Sequence, residues 1–410
     1  MRNADLTTVA VTERSVESLL VVVPPPSGSR VAPATVVAGL PLLRRIALAG
    51  IRAGFTRVLV RSAHPGSAHS GIDRLLDGTG AVALTDGPVS VIESAGARPA
   101  APTRIVILPG NVVPQARWLR LLRELRLEAE RLYGDPAMAA AIDTGDAASV
   151  LAAAARCESA EELIAALRAK FGGAELEADA AGRFRLSSPA DTTPAETWLL
   201  RSLIKQREGF MSRHFERKIS LAITRRLAPT RVTPDAMTLV SLAIGLIGAA
   251  FFLSSEPHYQ LIGALLFLTH SILDGCDGEL ARLKFMESPH GAILDFWGDN
   301  AVHVAVFACM AVGLSLATGA TWPFLAGALT VLATLGSAAF ASRQTMRDTV
   351  LSDDASWTAR LAEAFSHRDF IYLVVALSAF GKAYWFLMLA SVGTPTFFFL
   401  LLWVSARRRA

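Results

Sequence analysis

Asp274-Gly275-Cys276-Asp277-Gly278-Glu279-Leu280-Ala281-Arg282, followed by Gly291, Asp295 and Asp299, is an ordered set of charges inside an apolar stretch. Val232 to Ser342 holds ten charged residues in 111 positions; eight of them lie between Asp274 and Asp299, and Asn300–Ser342 has none. Charges inside apolar helices are costly and usually functional. On a helix, positions 274, 277, 278 and 281 share one face, and 291, 295 and 299 share a face of the next helix. A short reverse at Ser288-Pro289-His290 would turn the two faces toward each other. Gly278 and Ala281 leave room for a ligand to approach the backbone.

Four carboxylates converging in a low-dielectric setting resist joint ionisation. One or two divalent cations resolve the repulsion. Oxygen ligands with no Cys or His pattern favour magnesium, manganese or calcium over zinc. Carboxylate-held metals beside an arginine suit phosphoryl chemistry, where charge develops on phosphate oxygens. The competing reading is a polar cluster in a channel or cation transporter, which has no need of Gly, Ala and Arg at these offsets.

Working outward, six spans are expected: Ala236–Ser254, Tyr259–Leu273 continuing through the motif, Ile293–Thr318, Thr321–Ala341, Phe370–Phe380 with its flanks, and Ala383–Val404. Arg201 to Arg231 has nine basic and two acidic residues, against a net charge of +4 for all 410 residues. This localised charge argues for anionic lipid and against nucleic acid. Phe210, Phe215, Ile219 and Ile223 line one face of an expected interfacial amphipathic helix over 193–230, with Arg213, Arg217, Lys218 and Arg225 elsewhere. The linker is expected at Ser187–Thr192, with Thr193 as cap, Pro194 at the first helical position and Glu196 three residues after the cap. Basic residues crowd alternate loops (Arg282 and Lys284; Arg343, Arg347, Arg360 and Arg368; Arg407–Arg409), so both termini are expected to be cytoplasmic.

Residues 1–190 are ordinary in charge. Leu19–Val23, Arg57–Val60 and Arg104–Leu108 read as strands. Leu42–Ala53, stopped by Gly54, and Ala116–Arg131 read as helices, and 135–185 as Ala-rich and mostly helical. The alternation predicts an α/β domain with a largely parallel sheet. Three scattered cysteines, Cys157, Cys276 and Cys309, indicate neither a disulfide framework nor zinc. The first residues lack the apolar core of a signal peptide.

The pattern D-x2-D-G-x2-A-R-x8-G-x3-D-x3-D resembles the signature of the CDP-alcohol phosphotransferases, with all eight positions present. The resemblance covers about residues 200–405 and includes Val232-Thr233-Pro234; Asp235 stands where that family often has Asn. It implies that Asp274, Asp277, Asp295 and Asp299 bind two divalent cations, Mg2+ or Mn2+, and that Asp299 is the base on the acceptor hydroxyl. It also implies that Asp274, Gly278, Ala281 and Arg282 hold the CDP part of the donor, while Gly291 permits close approach. Arg343, Arg347 and Arg368 are candidates for pairing with a phosphate on the acceptor, though each also reads as a positive-inside anchor. His270, His290 and His303 lie near the motif and read as packing or interface residues. The family often forms dimers, so a homodimer is a further expectation.

Pro25-Pro26-Ser27-Gly28-Ser29-Arg30-Val31-Ala32-Pro33-Ala34-Thr35, with Gly39–Leu43, resembles the opening of sugar-phosphate nucleotidyltransferases. The fusion of the two parts is similar to inositol-1-phosphate cytidylyltransferase/di-myo-inositol-phosphate-phosphate synthase proteins. Prolines replace loop glycines, Leu40 replaces a phosphate-binding lysine and Gly110-Asn111 stands at the metal-binding aspartate. These losses remove most of the stabilisation of a pyrophosphate leaving group. The expectation is thus a degenerate nucleotidyltransferase-like α/β domain (1–190) before an all-α, six-helix membrane transferase (231–410). The transferase would move a substituted phosphate from a CDP-alcohol to an acceptor alcohol in phospholipid or inositol-phosphate-type synthesis. A bifunctional enzyme that also makes its own CDP-alcohol is the alternative.

Overall fold

The computed structural model describes residues 17–61, 69–84, 102–176, 180–204, 211–348 and 370–407. The chain separates into two compact units, Met1–Trp198 and Leu199–Ala410.

The first unit is built on a seven-stranded sheet. Ser18–Val23 is buried along its whole length and pairs in parallel with Arg57–Arg61 and Thr103–Pro109. That is why its apolar run is continuous rather than alternating. Val82–Leu84 extends the parallel part beyond Arg57–Arg61. Ala140–Thr144 adds antiparallel to Thr103–Pro109, and Leu132–Gly134 and Gly173–Glu175 follow. Ala147–Arg156 and Ala160–Phe171 cover the sheet through Val150, Leu151, Leu163, Ile164 and Leu167.

Two expectations about this unit are corrected. The helix from Ala116 ends at Glu124, not Arg131. The buried Arg104 guanidinium takes up the carbonyls of Leu122, Arg123 and Leu125, satisfying the last turn and releasing the chain. The 135–185 stretch carries three strands, Ala140–Thr144, Gly173–Glu175 and Arg183–Arg185, besides its two helices. Asp135 Oδ1 accepts the amides of Ala137 and Ala139 and so turns the chain into Ala140–Thr144, where sheet pairing overrides alanine's helix preference.

The turn into the second unit starts earlier than Thr193. Asp191 accepts the amides of Ser187 and Ser188, a single 3-10 turn runs Pro189–Asp191, and an α-helix follows over Thr192–Ser202. Glu196 reaches across to the Ala38 amide, 2.8 Å away, rather than back to a cap.

The second unit is helical. Pro234–Phe251, Pro257–Lys284, Pro289–Thr318, Trp322–Arg343 and Ala383–Arg407 are long and apolar enough to cross a membrane. Of the expected fifth span only part is described, its flank before Phe370 lying outside the described residues. Its described helix, Phe370–Ala379, has ten residues, about 15 Å against a hydrocarbon core of about 30 Å. Thr233 caps the first long helix and Ser288 the third, each with proline at the following position. Phe285, in the left-handed region, ends the second, so only a few residues separate the second helix from the third. The third helix meets the end of the first at Gly313. A Cβ there would lie 2.3 Å from the Phe252 carbonyl oxygen and 2.8 Å from that of Leu253. Backbone cannot swing aside. Gly313→Val is therefore expected to destabilise this unit by roughly 1–3 kcal/mol or more, measured as a fall in the unfolding midpoint of the detergent-purified protein.

Arg217–Leu227 forms a helix ahead of the first long one, after one π-helical turn at Ser212–Glu216. Of the apolar residues expected along one face, Phe215 is half exposed and Ile219 and Ile223 are half-buried. Ile223 and Leu227 pack on Met237, Cys276 and Leu280, and Phe215 meets Tyr372 edge to face. Phe210 lies outside the described residues.

Candidate active site

The second and third long helices bring the two acidic stripes together. One carboxylate oxygen from each of Asp274, Asp277 and Asp295 lies within 4.8 Å of the others. Asp274 and Asp277 are buried and Asp295 is half-buried. This geometry follows from local sequence: the spacing sets the stripes, and the Phe285–Ser288 reversal places them face to face.

The donor set fits a hard divalent cation: three carboxylate oxygens and no soft ligand. Cys276 lies one residue from Asp277, yet its thiol points to the carbonyls of Ser220 and Ile272. Thr238, on the first long helix and almost fully buried, has its hydroxyl 2.5 Å from Asp277 Oδ2. Sequence reasoning missed it, because a threonine one turn into an apolar helix carries no signal of its own.

Asp299 stands outside the three-carboxylate cluster and is flanked by two imidazoles. His270 Nδ1 lies 3.0 Å from the Ser241 carbonyl, to which it donates, and His270 Nε2 faces Asp299 Oδ1 at 3.4 Å. His303 Nδ1 donates to the Asp299 backbone carbonyl at 2.7 Å and lies 3.7 Å from Oδ1. His270 and His303, expected only to pack, thus both border the predicted base. His290 is exposed.

Small residues flank the cluster. A Cβ on Gly278 would lie 3.2 Å from Arg282 Nη1, so the guanidinium hangs over that glycine. A Cβ on Gly291 would lie 3.0 Å from Asp235 Oδ1 and 3.1 Å from Ser288 Oγ, which puts the Asp235 carboxylate against Gly291. Ala281 is half-buried on the carboxylate face. Lys284, expected as a charged anchor, donates to the carbonyls of Thr230 and Val232 and ties the start of the first long helix to the end of the second. Arg343 is exposed on its helix. The side chains of Arg347 and Arg368 lie outside the described residues.

On the far side of the motif helix sits Glu279, fully buried. It accepts from Arg217 Nη1 at 2.6 Å, Ser220 Oγ at 2.7 Å and Thr224 Oγ1 at 2.7 Å. The sequence reading passed over Glu279 as an unconstrained position between Gly278 and Leu280. Its one signal was a charge in a helix otherwise read as apolar.

Residues 231–406 match the CDP-alcohol phosphatidyltransferase family. A bifunctional IPC transferase and DIPP synthase of Rubrobacter xylanophilus is 38% identical over 164 residues, 39% of this chain and 37% of that protein. One of the same description from Thermococcus kodakarensis is 34% identical over 160 residues, 39% of this chain and 34% of that protein. The chain thus spans about a third of the length of the curated relatives it matches. The phosphatidylinositol phosphate synthase of Mycobacterium tuberculosis with CDP-DAG bound aligns over 45% of this chain and 94% of its own, at 20% identity and a TM-score of 0.33. The part of the chain that carries the acidic cluster is thus the part that matches the CDP-alcohol phosphatidyltransferase family.

Proposed function

We propose that the helical unit transfers a substituted phosphate from a CDP-alcohol to an acceptor alcohol and releases CMP. The observation that carries this reading is the convergence of Asp274, Asp277 and Asp295 on two neighbouring helices. These three residues are the ligands for divalent metal, Mg2+ or Mn2+, with Asp299 approaching from the next turn. Metal bound there supplies charge neutralisation on the phosphate oxygens. Asp274, Gly278, Ala281 and Arg282 hold the CDP part, and Gly291 keeps the backbone accessible to it. Asp299 takes the proton of the acceptor hydroxyl. The acceptor oxygen bonds to the phosphorus that bears the donor alcohol, and the bond from that phosphorus to the oxygen of CMP breaks. Arg343, Arg347 and Arg368 are the side chains we assign to a phosphate on the acceptor. The enzyme works in a lipid bilayer with both termini cytoplasmic, as a homodimer.

The sheet unit we read as a nucleotidyltransferase-like domain without cytidylyltransferase activity. Asn111, at the position expected of a metal-binding aspartate, is buried and its Nδ2 donates to the Leu186 carbonyl at 2.7 Å. The Ser27 amide, in the loop where phosphate would be cradled, donates to Glu161.

The test uses the full-length protein in proteoliposomes with a panel of CDP-alcohols and acceptor alcohols. CMP release that needs donor, acceptor and divalent metal together is the expected result. Metal flux without CMP release would instead make it a transporter. Pyrophosphate release from CTP and an inositol or sugar phosphate would overturn the reading of the sheet unit and make the chain bifunctional.

A further inference from the structure

Glu279 and Asp274 are five residues apart, about 140° around the helix at ~100° per residue. Glu279 therefore points away from the acidic cluster, toward the helix Arg217–Leu227. That contact is made of polar groups at close range. Ser220 and Thr224 are buried, both hydroxyls end on the Glu279 carboxylate, and Arg217 completes the set as a charged donor. A Cβ on Gly275 would lie 3.4 Å from Arg217 Nη1 and 3.8 Å from Ser220 Cβ, so Gly275 admits this close approach.

We propose that Glu279 is a positioning residue for the metal-binding carboxylates, and that Arg217–Leu227 is the brace it works against. The proposal rests on the assignment of Asp274, Asp277 and Asp295 as metal ligands. The physical reason is leverage. Apolar contacts tolerate small rotations of a helix, whereas three short hydrogen bonds to one buried carboxylate do not. A rotation of ~20° moves atoms roughly 5 Å from the helix axis by about 2 Å. Metal–ligand distances hold to about 0.2 Å. Freed from its brace, the motif helix would carry Asp274 and Asp277 out of register with Asp295, which sits on a separate helix. The arginine at 217 thus turns inward to the motif helix instead of outward to lipid.

The experiment uses the full-length protein in detergent. It reads Mn2+ affinity from the paramagnetic resonance of the free ion, and separately kcat and donor KM for CMP release. Glu279→Ala is expected to weaken Mn2+ binding about 10-fold and lower kcat about 10–100-fold, the range for groups that orient metal ligands. Donor KM should rise as well, because Asp274, Gly278, Ala281 and Arg282, assigned to the CDP part, lie on the same helix. Ser220→Ala with Thr224→Val removes two of the three donors and leaves the ion pair. It is expected to give a smaller loss in the same direction, and Arg217→Lys, which keeps the charge, to recover most of the parent value. If Glu279→Ala does not yield folded protein, the Ser220/Thr224 variant decides. Mn2+ affinity and kcat within twofold of the parent in the folded variants would overturn the proposal and leave Glu279 a structural anchor. Asp277→Asn separates the two levels. If it leaves Mn2+ binding unchanged, the ligand assignment fails. If it abolishes binding while the Glu279 variants do not weaken it, only the present proposal fails.

Discussion

Asp299→Asn is expected to lower CMP release by about 10²–10⁴-fold, the usual contribution of a positioned general base, with little change in fold or in donor binding. The substitution keeps the shape of the side chain and removes its ability to take up a proton. His270 and His303 border that side chain, with His270 Nε2 3.4 Å and His303 Nδ1 3.7 Å from Oδ1. An amide of the same size fits the space the carboxylate fills. Because Asp299 lies outside the cluster formed by Asp274, Asp277 and Asp295, Mn2+ binding should persist in this variant. Single-turnover CMP release at saturating donor, acceptor and metal is the measurement, paired with Mn2+ titration. Activity within threefold of the parent would remove Asp299 from the base role. Loss of Mn2+ binding together with activity would make it a metal ligand first.

The carboxylate cluster was legible because its information is local. Four aspartates at helical spacing in a nearly uncharged stretch, with proline and serine between the two stripes, specify both the faces and the reversal that joins them. The central strands were legible for a similar reason: Leu19–Val23 is too short and too uniformly apolar for anything but a buried parallel strand. What sequence did not disclose depends on partners far away along the chain. Glu279 is paired with a residue 62 positions earlier. The helix from Ala116 stops where Arg104 reaches its carbonyls, and Ala140–Thr144 is a strand because Thr103–Pro109 offers it an edge. The helix over Arg217–Leu227 shows the same limit from the other direction. Its basic residues were read as a uniform lipid-facing set, yet Arg217 is committed to a buried carboxylate while Lys218, Arg225 and Arg226 remain exposed. Charge periodicity alone does not separate those two fates.

Asp277→Asn is expected to cost about 10³-fold or more in kcat/KM, since loss of one preorganised electrostatic contact to developing charge alone costs 10²–10³. It should also reveal the metal thermodynamically. In metal-free buffer the parent holds Asp274, Asp277 and Asp295 in close, largely buried array, and their mutual repulsion opposes folding. Asp277→Asn removes one of the three charges, so the variant should unfold at a higher temperature than the parent in chelator. Added Mn2+ should reverse the order, because binding stabilises only the chain that retains the complete site. Thr238→Val gives the intermediate case. It deletes the hydroxyl that lies 2.5 Å from Asp277 Oδ2 but leaves the charge, so a roughly 10-fold loss of metal affinity is expected, with the parent order of midpoints kept. A variant Asp277→Asn that is less stable than the parent in chelator and still gains stability with Mn2+ would mean that the carboxylate serves packing, and that metal binds elsewhere. Crossing of the two midpoints would tie the acidic stripes, their burial and the ion to one site.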